Sequence, residues 1–315
     1  MYSLEPELQI LHAAGALDET SASHMIALER RTIFSVYEEI RAAVYAAVAL
    51  VVTGVGIIVK EHLDHIGPLT LVFILALAGV ACYVPSIRAE SRSASRSAVA
   101  EYLLLLGALL LSADLGFAEA QFHWFGANWP RHLLILAALH AFAAYRFHSR
   151  LVLSVALTSL AGWFGIYRDP DGIADWHFGT SALSLRALLC ATVILLWRAM
   201  DQRMNGARFR EVFEHFAVNL SFWGALGWCS DTHDRVIGMP VLFALAAIAI
   251  RTALRSGSEI FAVYGVGYAA IGSSIVVGQL LELPSLSGAL AILLIMLAAT
   301  LVLRHVHESL NEVRP

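Results

Sequence analysis

Long apolar runs alternate with short polar segments along most of the chain. A helix needs about 20 mostly apolar residues to cross the roughly 30 Å hydrocarbon core of a bilayer. Runs near this length lie at 42–59, 67–85, 98–117, 131–147, 150–167, 181–199, 212–229, 236–253, 258–281 and 285–303. The pattern therefore predicts an all-α, polytopic transmembrane helical bundle with about ten spans.

The fourth and fifth runs are short, and only the polar segment 145–150 separates them. Two interpretations are open for this pair. The runs form either a tight hairpin of two spans or a re-entrant pair that does not cross the membrane.

The basic residues divide unevenly between the two sets of loops. If the N-terminus is cytoplasmic, Lys60, Arg131, Arg168 and Arg235 fall outside. Sixteen arginines then fall on the cytoplasmic side: Arg30, Arg31, Arg41, Arg88, Arg92, Arg96, Arg146, Arg150, Arg198, Arg203, Arg208, Arg210, Arg251, Arg255, Arg304 and Arg314. Because cytoplasmic loops carry the excess of basic residues, both chain ends are predicted to lie in the cytoplasm.

Three segments follow from this topology. Residues 1–41 are predicted to form a cytoplasmic helical leader, 42–303 the transmembrane bundle, and 304–315 a cytoplasmic tail. Within the leader, residues 4–14 predict a short amphipathic helix that ends at Gly15, and a second helix begins near Asp18.

Composition agrees with a membrane protein. The chain has 315 residues, of which 58% are hydrophobic and 15% charged, whereas soluble proteins carry about 25% charged residues. A net charge of −4 without a basic block predicts no nucleic-acid partner. Cys82, Cys190 and Cys229 lie far apart, without the spacing of metal ligands, and no cofactor is predicted.

The first half of the chain resembles a known family over about residues 5–167. The segments that carry the resemblance are LQILHAAGALDETSASHMIA, AVALVVTGVGIIVKEHLDHIGPLTLVFILALAGVACY and LLLLGALLLSADLGFAEAQFHWFGANWPRHLLILAALHAFAAYRFHSRLVLSVALTSLAGWFGIY. They are similar to bacterial membrane proteins catalogued as domain of unknown function 2157. The family's Gly-Gln segment corresponds here to Ala120 and Gln121. The resemblance implies a multi-pass protein of the bacterial inner (cytoplasmic) membrane and supplies no activity.

Few polar side chains fall inside the spans, where ionisable groups are costly. A candidate polar pocket that opens to the outside comprises Asp114, Glu119, Gln121, His123 and His140. The alternative is that these groups reach the membrane interface or make hydrogen bonds between helices.

The outer loops repeatedly combine carboxylates with imidazoles, which are typical ligands of divalent metals. His62, His65, Asp231 and His233 are the weak candidates for a metal site. Outer loops of a membrane protein are poor in arginine, so their remaining charged residues are mainly acidic. Ordinary polar loops therefore explain the pattern as well.

The ninth run is rich in small residues, including Gly265, Gly267, Gly272 and Gly278. Small residues let helices approach closely, within the bundle or across a dimer face. A protein partner is predicted to bind through residues 1–41 or the ninth span, and the lipid bilayer is the other predicted partner.

Signatures of enzymes are missing from the sequence, including a phosphate-binding loop and a zinc-protease helix. The favoured prediction is an integral inner-membrane protein that acts as a non-catalytic partner, assembly or sensor subunit. The alternative is a small-solute or ion permease with an outward-facing polar pocket, and a membrane-embedded enzyme is the least supported class.

Overall fold

The computed structural model describes residues 10–15, 18–21, 23, 25, 43, 46–51, 53, 54, 57, 67–91, 98–128, 130–166, 181–205, 208–281 and 286–313. All regular elements among these residues are helical. They are α1 (Pro68–Ala81), α2 (Val84–Ser91), α3 (Ala98–Phe122), a 3₁₀ turn (Gly126–Asn128), α4 (Arg131–Arg146), α5 (Arg150–Trp163), α6 (Ser181–Asn205), α7 (Arg210–Ser230), α8 (Arg235–Ser256), α9 (Glu259–Leu280) and α10 (Leu286–Val313). The predicted all-α class is confirmed.

Six segments of the described chain are long and apolar enough to cross a membrane. They are Pro68–Arg88, Val99–Phe122, Ser181–Met204, Arg235–Ser256, Glu259–Leu280 and Leu286–Leu310. In the run at 42–59, the described residues 43, 46–51, 53, 54 and 57 are helical, and the other residues of the run lie outside the described part of the chain. The count of about ten spans and the orientation of the chain therefore stay predictions.

The two short runs form a tight hairpin. Helices α4 and α5 have 16 and 14 residues, which corresponds to lengths of about 24 and 21 Å. Ser149 caps α5 by accepting a hydrogen bond from the Val152 amide at 3.3 Å, and His148 takes a positive φ of 51° at the corner. The helices pack side by side along their length, although each is shorter than the hydrocarbon core.

Neighbouring helices pack antiparallel, most extensively in the pairs α1–α3, α4–α5, α6–α7, α8–α9 and α9–α10. Helix α7 lies within the second half of the bundle and contacts α5, α6, α8 and α9. The corners at 147–149, 208–209 and 257–258 define one end of the bundle, which we call the arginine-rich end. The corners at 123–130 and 231–234 define the opposite end.

Glycines lie where helix backbones come closest. A Cβ atom added at Gly107 of α3 would lie 2.8 Å from the Gly79 carbonyl oxygen of α1. One added at Gly224 of α7 would lie 2.9 Å from the Ser184 carbonyl oxygen of α6. Any side chain at these positions would push the helices apart, so the glycines set the interhelical distance.

The small residues of the ninth run serve internal packing at two of the four predicted positions. A Cβ atom on Gly265 would lie 2.9 Å from the Ala246 carbonyl oxygen of α8, and one on Gly272 would collide with the Leu242 side chain. Gly267 has no heavy atom within 4 Å of such a Cβ. Gly278 is half-buried near the end of α9.

Helix α10 lies at the edge of the bundle. Only 6% of its most apolar stretch is buried, and the exposed side chains include Leu290, Leu293, Leu294, Leu297 and Leu301. Its outer surface is therefore as apolar as a protein core. The apolar helices indicate that this surface contacts the lipid bilayer.

Part of the predicted leader is described. Residues 10–13 are helical, and Gly15 has a φ of 71°, which glycine adopts without strain. Asp18 accepts a hydrogen bond from the Ser21 amide at 3.1 Å. Hydrogen bonds from the Ser21 and Thr20 hydroxyls lower the pKa of Asp18 to about 2. Residues 1–9, 16, 17, 22, 24 and 26–41 of the leader lie outside the described part of the chain.

We expect Gly265→Ala to lower the free energy of unfolding by about 1–2 kcal/mol, because overpacking the α8–α9 contact outweighs the gain in helix propensity. Gly267→Ala is the matched control, since its added methyl group meets open space. Denaturant unfolding in mild detergent, followed by circular dichroism, measures both. Equal stabilities of the two variants would contradict the assignment of Gly265 as a packing position.

Candidate functional site

A seam of polar residues follows the contact between α3 and α4. On α3 it comprises Ser112, Gly116, Glu119 and the following residue His123, which recur at intervals of four, three and four residues. This spacing places them on one face of a helix. Two buried histidines of α4, His132 and His140, complete the seam.

The deep end of the seam is a histidine–serine pair. His140 is fully buried, and its Nε2 lies 2.8 Å from the Ser112 hydroxyl. That hydroxyl donates its single hydrogen to the Ala108 carbonyl oxygen at 2.9 Å, so Nε2 is the donor in the contact with Ser112. Among the described residues, Nδ1 of His140 has no hydrogen-bond partner.

His140 also lies deep within its helix. It is nine residues from the start of α4 at Arg131, a distance of about 14 Å along the helix axis. A buried imidazole at this depth is rare in membrane proteins and is associated with binding sites or proton relays.

At the opposite end of the bundle the seam widens into a cleft of about 410 Å³. The cleft is lined by Gly116, Glu119, Ala120, His123, Gly126 and His132. Glu119 is only 4% exposed, and both its carboxylate oxygens accept the Phe125 amide hydrogen at 3.2 Å. The carboxylate thereby ties the loop after α3 to the helix, while His123 turns the chain with a φ of 51°.

The structure divides the predicted polar pocket between two faces of α3. Glu119 and His123 line the cleft, and His140 lies below it. Asp114 and Gln121 fall on the opposite face, since the helical period places them about 180° away from Ser112. Gln121 is exposed.

Asp114 belongs to the stripe of α3 that packs on α1. Leu110 and Phe117, four residues before it and three after it, pack against Leu71 and Leu75. The Oδ1 atom of Asp114 is buried and has no hydrogen-bond partner among the described residues. Asp114 is therefore not among the residues that line the α3–α4 cleft.

Two of the four weak metal candidates, Asp231 and His233, lie within the described residues. His62 and His65 lie outside the described residues. Asp231 accepts the His233 amide hydrogen at 2.8 Å, as in a polar turn, and the His233 side chain is 96% exposed. The described parts of the chain contain no group of three His, Cys, Asp or Glu side chains that could hold a metal ion.

Asp234 links this turn to α6. A hydrogen bond from the Ser181 hydroxyl, followed by one from His233, holds the pKa of Asp234 below its ordinary value. The acidic residues of the turn are thus engaged in local contacts.

A second cleft of about 590 Å³ opens between α5, α7 and α9 at the arginine-rich end. Arg150 and Glu211 form an ion pair at its mouth, with a separation of 2.7 Å. Deeper in, Tyr268 donates its hydroxyl hydrogen to Asn219 Oδ1 at 2.8 Å, and Asn219 Nδ2 donates to the His215 carbonyl oxygen at 2.8 Å.

Several polar residues of the seam and of the two clefts were not among the predicted site residues, including Ser112, His132 and Tyr268. Ser112 and Tyr268 are uncharged, and His132 lies at the start of an apolar run. The sequence does place Ser112 seven residues before Glu119. This separation corresponds to two helical turns and predicts that the two side chains share one face of the helix.

Comparison with known proteins bears on the first half of the chain. No curated protein and no solved structure matches the sequence. One family model, described as a predicted membrane protein (DUF2157), matches residues 9–153. This range contains the α3–α4 cleft, the Ser112–His140 pair and most of the α4–α5 hairpin. The resemblance predicted from the sequence is thus confirmed, and residues 9–153 match the family of membrane proteins catalogued as domain of unknown function 2157.

Proposed function

We propose that the protein crosses the bacterial inner membrane about ten times, with both chain ends in the cytoplasm. The concentration of arginines at one end of the bundle supports this orientation. It places the α3–α4 cleft on the outer side and the α5–α7–α9 cleft on the cytoplasmic side.

Single cysteines test this orientation. His233→Cys places a thiol at the proposed outer end, and Arg208→Cys places one at the arginine-rich end. Both positions are exposed, whereas the native Cys190 and Cys229 are fully buried. We expect a membrane-impermeant maleimide to label His233→Cys in intact cells and Arg208→Cys only after lysis. The reverse pattern would invert the topology.

We further propose that the protein is a non-catalytic sensor subunit that receives a small cation or a proton in the outer cleft. The observation that carries this proposal is that the seam ends inside the bundle. Beneath the Ser112–His140 pair, the fully buried side chains of Leu104 and Ala108 belong to the apolar core. A cleft that ends in packed core suits binding and signalling better than passage.

Glu119 would couple binding to a change of conformation. Its carboxylate accepts the Phe125 amide and so holds the loop that follows α3. A cation or proton on the same carboxylate competes with that amide, and the loop is released. His123 and His132 line the same cleft, which therefore holds two imidazoles as well as the carboxylate.

Hydrogen exchange tests the role of Glu119. A hydrogen bond to a charged group contributes about 1.5–3 kcal/mol, so Glu119→Gln should speed exchange of the Phe125 amide by roughly ten- to a hundredfold. Gln121→Ala, on the exposed face of the same helix, serves as the control. Unchanged exchange in Glu119→Gln would remove Glu119 from the coupling mechanism.

A sensor subunit also requires a partner. Gentle purification should recover a stoichiometric companion protein, and deletion of residues 1–30 should release it if the leader carries the contact. A companion that stays bound after the deletion would exclude the leader, and recovery of the chain alone would argue against the subunit role.

A permease is the second candidate, and the α5–α7–α9 cleft favours it. Two clefts that enter from opposite ends and reach buried polar groups resemble the two half-paths of an alternating-access transporter. In reconstituted vesicles, Glu119→Gln and Asn219→Leu should then each reduce solute flux. Asp114→Asn, on the other face of α3, should not. Wild-type flux equal to that of empty vesicles across ions and small solutes would reject the permease.

A further inference from the structure

A third concavity lies in the second half of the chain, independent of the proposed sensing cleft. It is a groove of about 480 Å³ with α7 as its floor and α6 and α8 as its walls. Its charged lining residues are Arg198, Arg210 and Glu214, and its apolar lining includes Leu195, Val218 and Ile248. The charged members lie together at the arginine-rich end, and the remainder of the groove is mainly apolar.

The charged end of the groove has an excess of positive charge. A single carboxylate oxygen, Oε1 of Glu214, accepts from Arg198 Nη2 at 2.5 Å and from Arg210 Nε at 2.8 Å. Two guanidinium groups therefore share one carboxylate. In addition, Nε of Arg198 is buried and has no hydrogen-bond partner among the described residues. The cluster can accept one further negative charge.

The Arg198–Glu214 pair is also partly withdrawn from solvent, with side chains that are 26% and 15% exposed, whereas the Arg210 side chain is 51% exposed. Charge–charge attraction is stronger at such a site than between fully exposed groups. The Arg150–Glu211 pair of the neighbouring cleft differs, because one cation there balances one anion and both side chains are mostly exposed.

Apolar walls extend from the arginines toward the middle of the bundle. Leu195 and Ile248 border the groove, and both are exposed on the surface that contacts lipid. The hydroxyls of Ser221 and Thr252 are directed to carbonyl oxygens of their own helices. The groove thus combines an anion-binding end with an apolar channel that is open to the bilayer.

We propose that this groove binds one acidic phospholipid. The lipid phosphate contacts Arg198 and Arg210, and an acyl chain lies along Leu195 and Ile248. Basic pockets between transmembrane helices bind acidic headgroups in this way. Charge complementarity selects the headgroup, while the apolar walls select a lipid over a free anion.

Native mass spectrometry of the full-length protein tests the proposal. The protein is purified in mild detergent and titrated separately with phosphatidylglycerol and phosphatidylcholine. We expect one phosphatidylglycerol molecule to be retained in preference to phosphatidylcholine. Millimolar inorganic phosphate should not displace it, because phosphate cannot fill the apolar channel. Equal retention of the two lipids, or displacement by inorganic phosphate, would overturn the proposal.

Two arginine variants and one glutamate variant should change phosphatidylglycerol retention in opposite directions. Each arginine near a membrane surface contributes about a fivefold change in affinity for acidic lipid. Arg210→Gln should therefore weaken phosphatidylglycerol retention about fivefold, and Arg198→Gln with Arg210→Gln about 30-fold. Glu214→Gln should strengthen retention, because it removes the competing carboxylate while keeping a hydrogen-bond acceptor.

Arg203→Gln is the matched control. Arg203 is an exposed arginine at the same end of α6, outside the groove, so its loss changes net charge equally without altering the site. If the double variant fails to fold, Arg210→Gln and Glu214→Gln decide the outcome. If the cluster only stabilises the fold, both variants should retain less phosphatidylglycerol, which would refute the site. Unchanged retention in both variants would refute it as well.

Discussion

Close contact between helix backbones at glycine is the interaction on which the rest of the bundle depends. In lipid, helices gain little from burying apolar side chains against each other, since the acyl chains are equally apolar. Dispersion contacts between close backbones replace that driving force. Gly107, Gly224 and Gly265 each put a neighbouring carbonyl oxygen within 2.9 Å of where a Cβ atom would lie. Each marks the crossing of a principal helix pair.

The clefts form where such contacts are absent. Helix α4 packs much more extensively on α5 than on α3, and a Cβ atom on Gly116 of α3 would meet no heavy atom within 4 Å. The seam beside α4 therefore stays open enough for Glu119 and His123 to line a cleft. Helix α7 contacts four neighbours, and the two grooves on its opposite faces lie between them.

Each buried carboxylate of these clefts is compensated by donors. An ionised group withdrawn from water is costly unless hydrogen bonds or opposite charges replace its hydration. Glu119 has the Phe125 amide, and Glu214 has two guanidinium groups. The difference in the compensating group separates their proposed roles. Because Glu119 is bound to a backbone amide, it holds the loop after α3 in place. The Glu214 cluster has two guanidinium groups for one carboxylate, and its net positive charge can bind an anion.

The sequence by itself determined the helical class, the positions of the helices from residue 67 onward and the family of residues 9–153. These depend on local hydropathy, which the one-dimensional pattern contains. It also singled out Glu119, His123 and His140, because ionisable groups are conspicuous in apolar runs. Only the tertiary structure decided that Asp114 and Gln121 face away from the cleft, and that Ser112 and His132 complete it. It also decided that Gly265 and Gly272 contact neighbouring helices while Gly267 does not. Those outcomes depend on how each helix is rotated about its axis, which packing against several neighbours determines and which no single apolar run records.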